Sequence, residues 1–312
     1  MAALCAASLC ACPREDPVSI AANGVWPGYQ PLFLARDLAY LDRVPARLHE
    51  TPSSTLALVA LRNRSVDGAA LTLDEVLLLA QDQIEVRIVL AMDVSNGADV
   101  LMSRPEIRDL GDLRGRRVGA ESTALGAYML SRALERGGLT PADVEVVPVA
   151  LDLHEQTFRE GRVDAIVTFD PVRTRLQARG GRVLFDSSQI PGEIVDVLVV
   201  QADVLRSRSP QVQRLLEAWY RALDHLRADP EDACRRIAKR QGVSCREFQR
   251  SLEGIEVPDR AGNERLLTGS RPELLAPAER LAGVMLRNGL LRRPVDPRRL
   301  FATTPRARRG PP

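Results

Sequence analysis

Two short motifs recur in this 312-residue chain, and each ends in a carboxylate. Thr72-Leu73-Asp74 and Thr168-Phe169-Asp170 both follow a Val-Asp turn and a short apolar run, within residues 64–76 and 162–172. A hydroxyl and a carboxylate at the carboxyl end of a strand can face a ligand, or can cap the next helix, and for the aspartates the two readings weigh the same. Further acids stand at Asp93, Glu121, Glu193 and Asp196. Ser53, Ser54, Ser122 and Thr123 precede helical patterns, where hydroxyls cap the helix and its backbone N–H groups can hold an anion. Trp26 and Tyr29 flank the turn-forming pair Pro27-Gly28, and aromatic rings on a stiff turn give contact area at little entropic cost. Packing of those rings on the following helix is the competing reading.

Several chemistries lack their residues. Lys239 is the single lysine, so Schiff-base chemistry would have to use it. The three histidines, His49, His154 and His225, have no metal-ligand spacing. No Gly-x-Ser-x-Gly elbow and no Walker glycine-lysine loop occurs. With 43 basic and 41 acidic side chains the charge is nearly balanced, which makes nucleic acid a poor partner.

The elements that must position these residues alternate in kind. Short β-branched runs at Val18-Ser19-Ile20, residues 86–90, 117–119, 144–147, 165–167 and 195–200 are separated by amphipathic segments. That rhythm predicts an α/β protein with mainly parallel sheets. The clearest helices are Ala124–Arg136, stopped by Gly137-Gly138, and 210–227, with Leu215, Leu216, Trp219, Leu223 and Leu226 at helical spacing. What precedes the two Thr-x-Asp motifs also matches: strand, loop, helix, turn, strand. Two copies of one α/β unit imply two similar lobes, with both motifs at the edge of a shared cleft.

The first dozen residues hold Cys5, Cys10 and Cys12 in an uncharged, alanine-rich run. This has the composition of a secretory leader, and Leu9-Cys10-Ala11-Cys12 resembles a bacterial lipobox that would lipidate Cys12. No Lys or Arg precedes the run, so the expected start codon lies upstream. Residues 1–11 are read as leader, 12–16 as linker and 303–312 as a disordered basic tail. No later run is long enough to span a bilayer. Export would permit a disulfide between Cys234 and Cys245, and two free thiols are an equal reading.

Beyond these features the chain resembles the periplasmic substrate-binding proteins of ABC importers, in the group that binds sulfonates, taurine, nitrate and thiamine precursors. The resemblance covers residues 18–290 and rests on four segments, taken in their order and spacing. These are Trp26-Pro27-Gly28-Tyr29-Gln30-Pro31-Leu32-Phe33-Leu34-Ala35, Val66-Asp67-Gly68-Ala69-Ala70-Leu71-Thr72, Asp112-Leu113-Arg114-Gly115-Arg116-Arg117-Val118-Gly119 and Gly161-Arg162-Val163-Asp164-Ala165. The third departs from the usual lysine-bearing form by using arginines.

The resemblance implies a two-lobed type II binding-protein fold, a Venus flytrap with two hinge crossovers. Lobe 1 is expected over 17–95 plus 197–290 and lobe 2 over 98–190, with hinges at Ser95-Asn96-Gly97-Ala98 and Pro191-Gly192. It further implies a non-enzymatic, cofactor-free protein held at the outer membrane face by lipid, which passes a solute to a permease and its ATPase subunits. The expected ligand set is Trp26, Tyr29, Ser53, Ser54, Thr72, Asp74, Ser95, Glu121, Ser122, Thr123, Thr168, Asp170 and Asp196. The acids argue that an amine-bearing, zwitterionic or heteroaromatic solute stands level with a sulfonate. The rival readings are a same-fold enzyme of thiamine-precursor or menaquinone biosynthesis, and a ligand-sensing binding protein.

Overall fold

The computed structural model describes residues 16–42, 44–121 and 124–301. The leader with Cys12, the hydroxyls of Ser122 and Thr123, and the tail 303–312 lie outside the described residues. With strands numbered in chain order, one sheet holds β1 (Val18–Asn23), β2 (Ala46–Thr51), β3 (Gly68–Thr72), β4 (Val86–Ser95), β10 (Val195–Gln201) and β11 (Ile255–Glu256). The other holds β5 (Val100–Ser103), β6 (Arg117–Ala120), β7 (Glu145–Pro148), β8 (Ala165–Thr168) and β9 (Arg182–Asp186). We call each sheet with its helices a lobe, the six-stranded one being lobe 1.

Helices α1 (Gln30–Asp37), α2 (Ser54–Arg62) and α3 (Leu73–Gln81) belong to lobe 1, and α4 (Ala124–Arg136), α5 (His154–Arg159) and α6 (Val172–Gln177) to lobe 2. The chain after β10 is helical apart from β11: α7 (Ala202–Ser207), α8 (Ser209–Ala228), α9 (Pro230–Gln241), α10 (Cys245–Ser251), α11 (Arg260–Leu267) and α12 (Leu275–Arg287). The long α8 buries Val212, Leu215, Trp219, Ala222 and Leu223 along one stripe against lobe 1. Trp219 is 1% exposed, so its truncation to alanine would cost about 3–5 kcal/mol. Cys234 and Cys245 form a disulfide across the Gly242 turn, with Cα atoms 5.5 Å apart.

The sheets share one strand order. Lobe 1 runs β2-β1-β3-β10-β4 and lobe 2 runs β7-β6-β8-β5-β9, so the repeat seen in the sequence is a repeat of topology. The expectation of mainly parallel sheets holds for strand direction, since most strands of each sheet run one way, but the pairing is mixed. The first three strands of each set are parallel, but β10 lies antiparallel to β3 and β4, and β5 antiparallel to β8 and β9. The cause is the exchange of strands: each lobe takes its fourth strand from a segment that has just crossed from the other.

The Val-Asp half of the repeat is structural. The Asp67 carboxylate accepts the Ser19 backbone N–H at 2.8 Å, and Asp164 accepts that of Arg117 at 3.0 Å, so each ties the start of one strand to the start of its neighbour. Arginine completes both clamps, Arg208 on Asp67 and Arg117 on Asp164, and holds both carboxyls below the usual range.

The crossovers 95–100 and 186–195 are laced together. Ser95 and Ser187 share a hydroxyl hydrogen bond of 2.7 Å, and Ser187 Oγ also accepts the Gly97 N–H at 2.6 Å. Gly97 has φ +108° and Gly192 φ +71°, a region that favours glycine. Beside them α4 packs on α3, so one apolar cluster containing Leu73, Leu77, Tyr128 and Met129 spans both lobes.

Candidate functional site

The carboxyl ends of β1 and β3 and the amino end of β10 in lobe 1 face the loops after β6 and β8 of lobe 2. Between them is a cavity of about 30 Å³ lined by Asn23, Trp26, Tyr29, Ser54, Thr72, Glu75, Glu121, Leu125, Phe169 and Asp196. Three carboxyl side chains line it and, among the described residues, no Arg, Lys or His does.

Sheet register explains why acids collect here. Thr72 lies opposite Asp196, and Asp196 opposite Asp93, so three neighbouring strands present one polar row across the sheet. Helix α3 starts at the end of this row and carries Asp74 and Glu75 in its first turn. An acid in a first turn suits the helix dipole, but these two are almost fully buried, at 2% and 1% exposure. Glu75 accepts the Thr72 backbone N–H at 3.1 Å. Thr72 Oγ1, Asp74 Oδ2 and Asp93 Oδ1 are buried without a hydrogen-bond partner.

Aromatic donors supply part of the missing solvation. Trp26 Nε1 donates to Asp93 Oδ2 at 3.1 Å, and the Tyr29 hydroxyl donates to Asp196. Gln30 braces the turn by donating to the carbonyls of Gly24 at 3.0 Å and Trp26 at 2.8 Å. The turn needs its glycine, because a Cβ on Gly28 would stand 1.8 Å from Asp93 Oδ2 and 2.7 Å from Trp26 Nε1. Across the cleft Trp26 meets Phe169 edge to face, with centroids 5.0 Å apart and planes at 86°.

Burial dominates the titration of the row. It raises Asp74 to about 6, Asp93 and Asp99 to about 7 and Glu75 to about 8, and pushes Asp196 well up with help from Asp93. Tyr29 is also raised well above its ordinary value, by burial and then by the Asp196 and Asp93 charges. Glu121 is raised by burial.

Of the residues expected from sequence, the cavity brings together Trp26, Tyr29, Ser54, Thr72, Glu121 and Asp196. Asp74 lies in the buried acidic group beside it and shifts Glu75 through its charge. Ser53 caps α2, its Oγ accepting the Leu56 N–H at 3.4 Å. Ser95 is spent on the crossover bond to Ser187. Thr168 pairs with His154 Nδ1 at 3.1 Å. Asp170 accepts from the backbone N–H and hydroxyl of Thr174 at 3.1 and 2.6 Å, and borders a separate cavity of about 200 Å³ with Gly24, Pro27, Arg240 and Phe248. Glu193 holds Tyr128 at 2.5 Å and Arg132 at 2.9 Å.

The sequence reading did not single out Asn23, Glu75, Leu125 or Phe169. Phe169 is the middle residue of the second Thr-x-Asp motif, and Glu75 directly follows the first. Both therefore lie within the repeat, where an apolar ring and a first-turn acid carry no local mark that separates a ligand contact from ordinary packing or capping.

Two lobes with one strand order, joined by two crossovers around a cleft at strand ends, define the periplasmic-binding-protein fold. The chain is similar to the alkanesulfonate-binding protein SsuA from Xanthomonas axonopodis pv. citri bound to MOPS. They share 18% identity over 91% of this chain and 97% of that one, with a TM-score of 0.77. It is also similar to the periplasmic aliphatic sulphonate binding protein SsuA from Escherichia coli, at 18% identity over 92% and 98% of the chains, TM-score 0.75. The desulfurization enzyme DSZB shares the fold at 20% identity over 92% and 96%, TM-score 0.64. No curated protein matches the chain significantly in sequence. The NMT1-like family profile matches residues 22–241, more than half of the chain, and the protein belongs to that family.

Proposed function

We propose that this protein is the solute-binding component of an ABC importer. It captures a small organic solute, sulfonate-like or amine-bearing and heteroaromatic, between its lobes and hands it to a membrane permease served by ATPase subunits. The observation that carries this reading is the cleft itself, in which polar groups at the strand ends of lobe 1 face Phe169 and Glu121 of lobe 2. Segments 17–95 plus 197–290 and 98–190 move as two bodies about residues 95–98 and the Pro191-Gly192 neighbourhood. The ligand favours the closed arrangement because only there does it touch both lobes.

The ligand contacts come from Trp26, Tyr29, Ser54, Thr72, Glu75, Glu121, Phe169 and Asp196. Ser122 and Thr123 adjoin Glu121 in sequence and belong to the same proposal. Lipid on Cys12 tethers the protein to the outer face of the membrane. Among the described residues no helix is long and apolar enough to cross one.

Binding is favoured over catalysis because, among the described residues, the cavity holds no activated nucleophile. The Tyr29 phenol is shifted away from ionisation, the Ser54 hydroxyl has no base bonded to it among the described contacts, and Cys234 and Cys245 are bonded to each other. Calorimetry of the full chain against alkanesulfonates, taurine, nitrate and aminopyrimidines tests the reading. Saturable binding without turnover of the solute is expected, and chemical conversion of a bound solute would overturn it.

A further inference from the structure

The charge of the cleft goes further than its shape. We infer that the cleft takes a small flat cation that donates N–H groups, an amidinium, guanidinium or protonated amino-heteroaromatic, with Glu75 and Asp196 as counter-charges and Trp26 and Phe169 beside it. This rests on the solute-binding reading of the same site and names its ligand class.

Three observations carry it. First, Glu75, Asp196 and Glu121 line the cavity and, among the described residues, no basic side chain does, so an anion there would find no counter-charge while a cation finds three carboxyls. The N-terminus of α3, which could otherwise offset them, already has Asp74 and Glu75 in its own first turn.

Second, the site has unused acceptors. Thr72 lines the cavity at 3% exposure with Oγ1 unpaired, and the unpaired oxygens of Asp74 and Asp93 lie behind it. Buried acceptors without donors are expensive, and a ligand rich in N–H groups relieves that cost where a sulfonate, all acceptors, cannot.

Third, Trp26 and Phe169 both line the cavity, and a flat cation seated over the face of either ring would be attracted by it.

Proton release accompanies binding. The groups that face the cavity or stand behind it are Asp74 and Glu75 on α3, Asp93 on β4, Asp99 after it, Asp196 on β10, Glu121 from lobe 2 and Tyr29 from the aromatic turn. Tyr128 on α4 looks toward Asp74 and is occupied by Glu193, which Arg132 also holds. Burial keeps several of these acids protonated near neutral pH, and an incoming cation displaces a proton to the buffer. Cation affinity therefore rises with pH.

The test is calorimetry of the full chain against matched probes: methylguanidinium and 4-aminopyridinium as cations, methylurea as the neutral match, and methanesulfonate and a longer alkanesulfonate as anions. The cations are expected to bind, methylurea roughly tenfold or more weaker, and the sulfonates not at all. Cation affinity should rise between about pH 6 and 8, with heats that depend on the buffer's own ionisation. Glu75→Gln should abolish cation binding. Glu121→Gln, at a half-buried position, should weaken it and gives the same answer if the first variant does not fold. Binding of a sulfonate with none of the cations overturns the charge class and leaves solute capture standing. No response to any probe overturns both.

Discussion

The two Thr-x-Asp motifs occupy equivalent positions in sheets of the same strand order, yet their surroundings differ in kind. In lobe 2 the Thr168 hydroxyl pairs with His154, Asp170 is satisfied by Thr174, and the neighbouring strand offers Val100, with Asp186 beyond it already accepting the Ser188 N–H at 2.9 Å. In lobe 1 Thr72 and Asp74 keep unpaired oxygens, and the neighbouring strand brings Asp196 and then Asp93. In one motif the side-chain oxygens of Thr168 and Asp170 are both engaged, and in the other, although Glu75 closes back on the Thr72 N–H, Thr72 and Asp74 belong to a polar row with acceptors to spare. The difference comes from the exchanged strands β5 and β10, not from the repeat. On the proposed solute-binding reading, ligand recognition is therefore concentrated on lobe 1, with Phe169 and Leu125 of lobe 2 facing it across the cavity.

The largest effect should separate the two aspartate environments. Asp196→Asn removes a carboxyl that can ionise against the bound solute and should cost about 100-fold in affinity for a methylguanidinium-type ligand, whereas Asp170→Asn should leave affinity within about threefold, both read by calorimetry. Equal losses would erase the distinction.

Stability against pH comes next. Carboxyls raised by burial bind more protons in the folded chain than in the unfolded one, so stability falls as pH climbs through their folded values. His154, lowered to about 4 by burial, acts in the opposite sense, but only below its unfolded value of about 6.5. From about pH 6.5 to 8 the acids act alone, and denaturant unfolding should show a loss of roughly 2–3 kcal/mol. Asp93→Asn should flatten that slope, while Asp170→Asn should not.

The smallest effect concerns the two threonines. Thr168→Val strips His154 Nδ1 of its partner and should cost about 1–2 kcal/mol. Thr72→Val removes a hydroxyl that has no partner and should be neutral or slightly stabilising in the same unfolding experiment. The reverse order would mean that the lobe 1 row is the satisfied one.

The sequence carries much of the fold. The helix Ala124–Arg136 ends where Gly137-Gly138 stops its periodicity, and Gly138 takes φ +65°. The β-branched runs all fall in strands, and the repeat anticipates the matched sheets. Strand direction was not legible, because the residues of β5 and β10 alternate no differently for lying antiparallel; only the crossover fixes them.

The site was legible in part for a related reason. Trp26, Tyr29, Thr72, Glu121 and Asp196 could be named from type and place. The pairing of Asp196 with Asp93 and Thr72 is a matter of register between segments more than a hundred residues apart, which no local pattern encodes. Glu75 reads locally as an ordinary first-turn acid, and its burial is a matter of tertiary packing that the local pattern does not encode.

The central claim is that solute is held between the lobes by the lobe 1 row. Small-angle X-ray scattering of the full chain, titrated with methylguanidinium at about pH 8, tests it most directly. The account predicts a saturable decrease in radius of gyration that Asp196→Asn removes and Asp170→Asn retains. Saturable binding with an unchanged radius of gyration, or the same compaction in both variants, would contradict it.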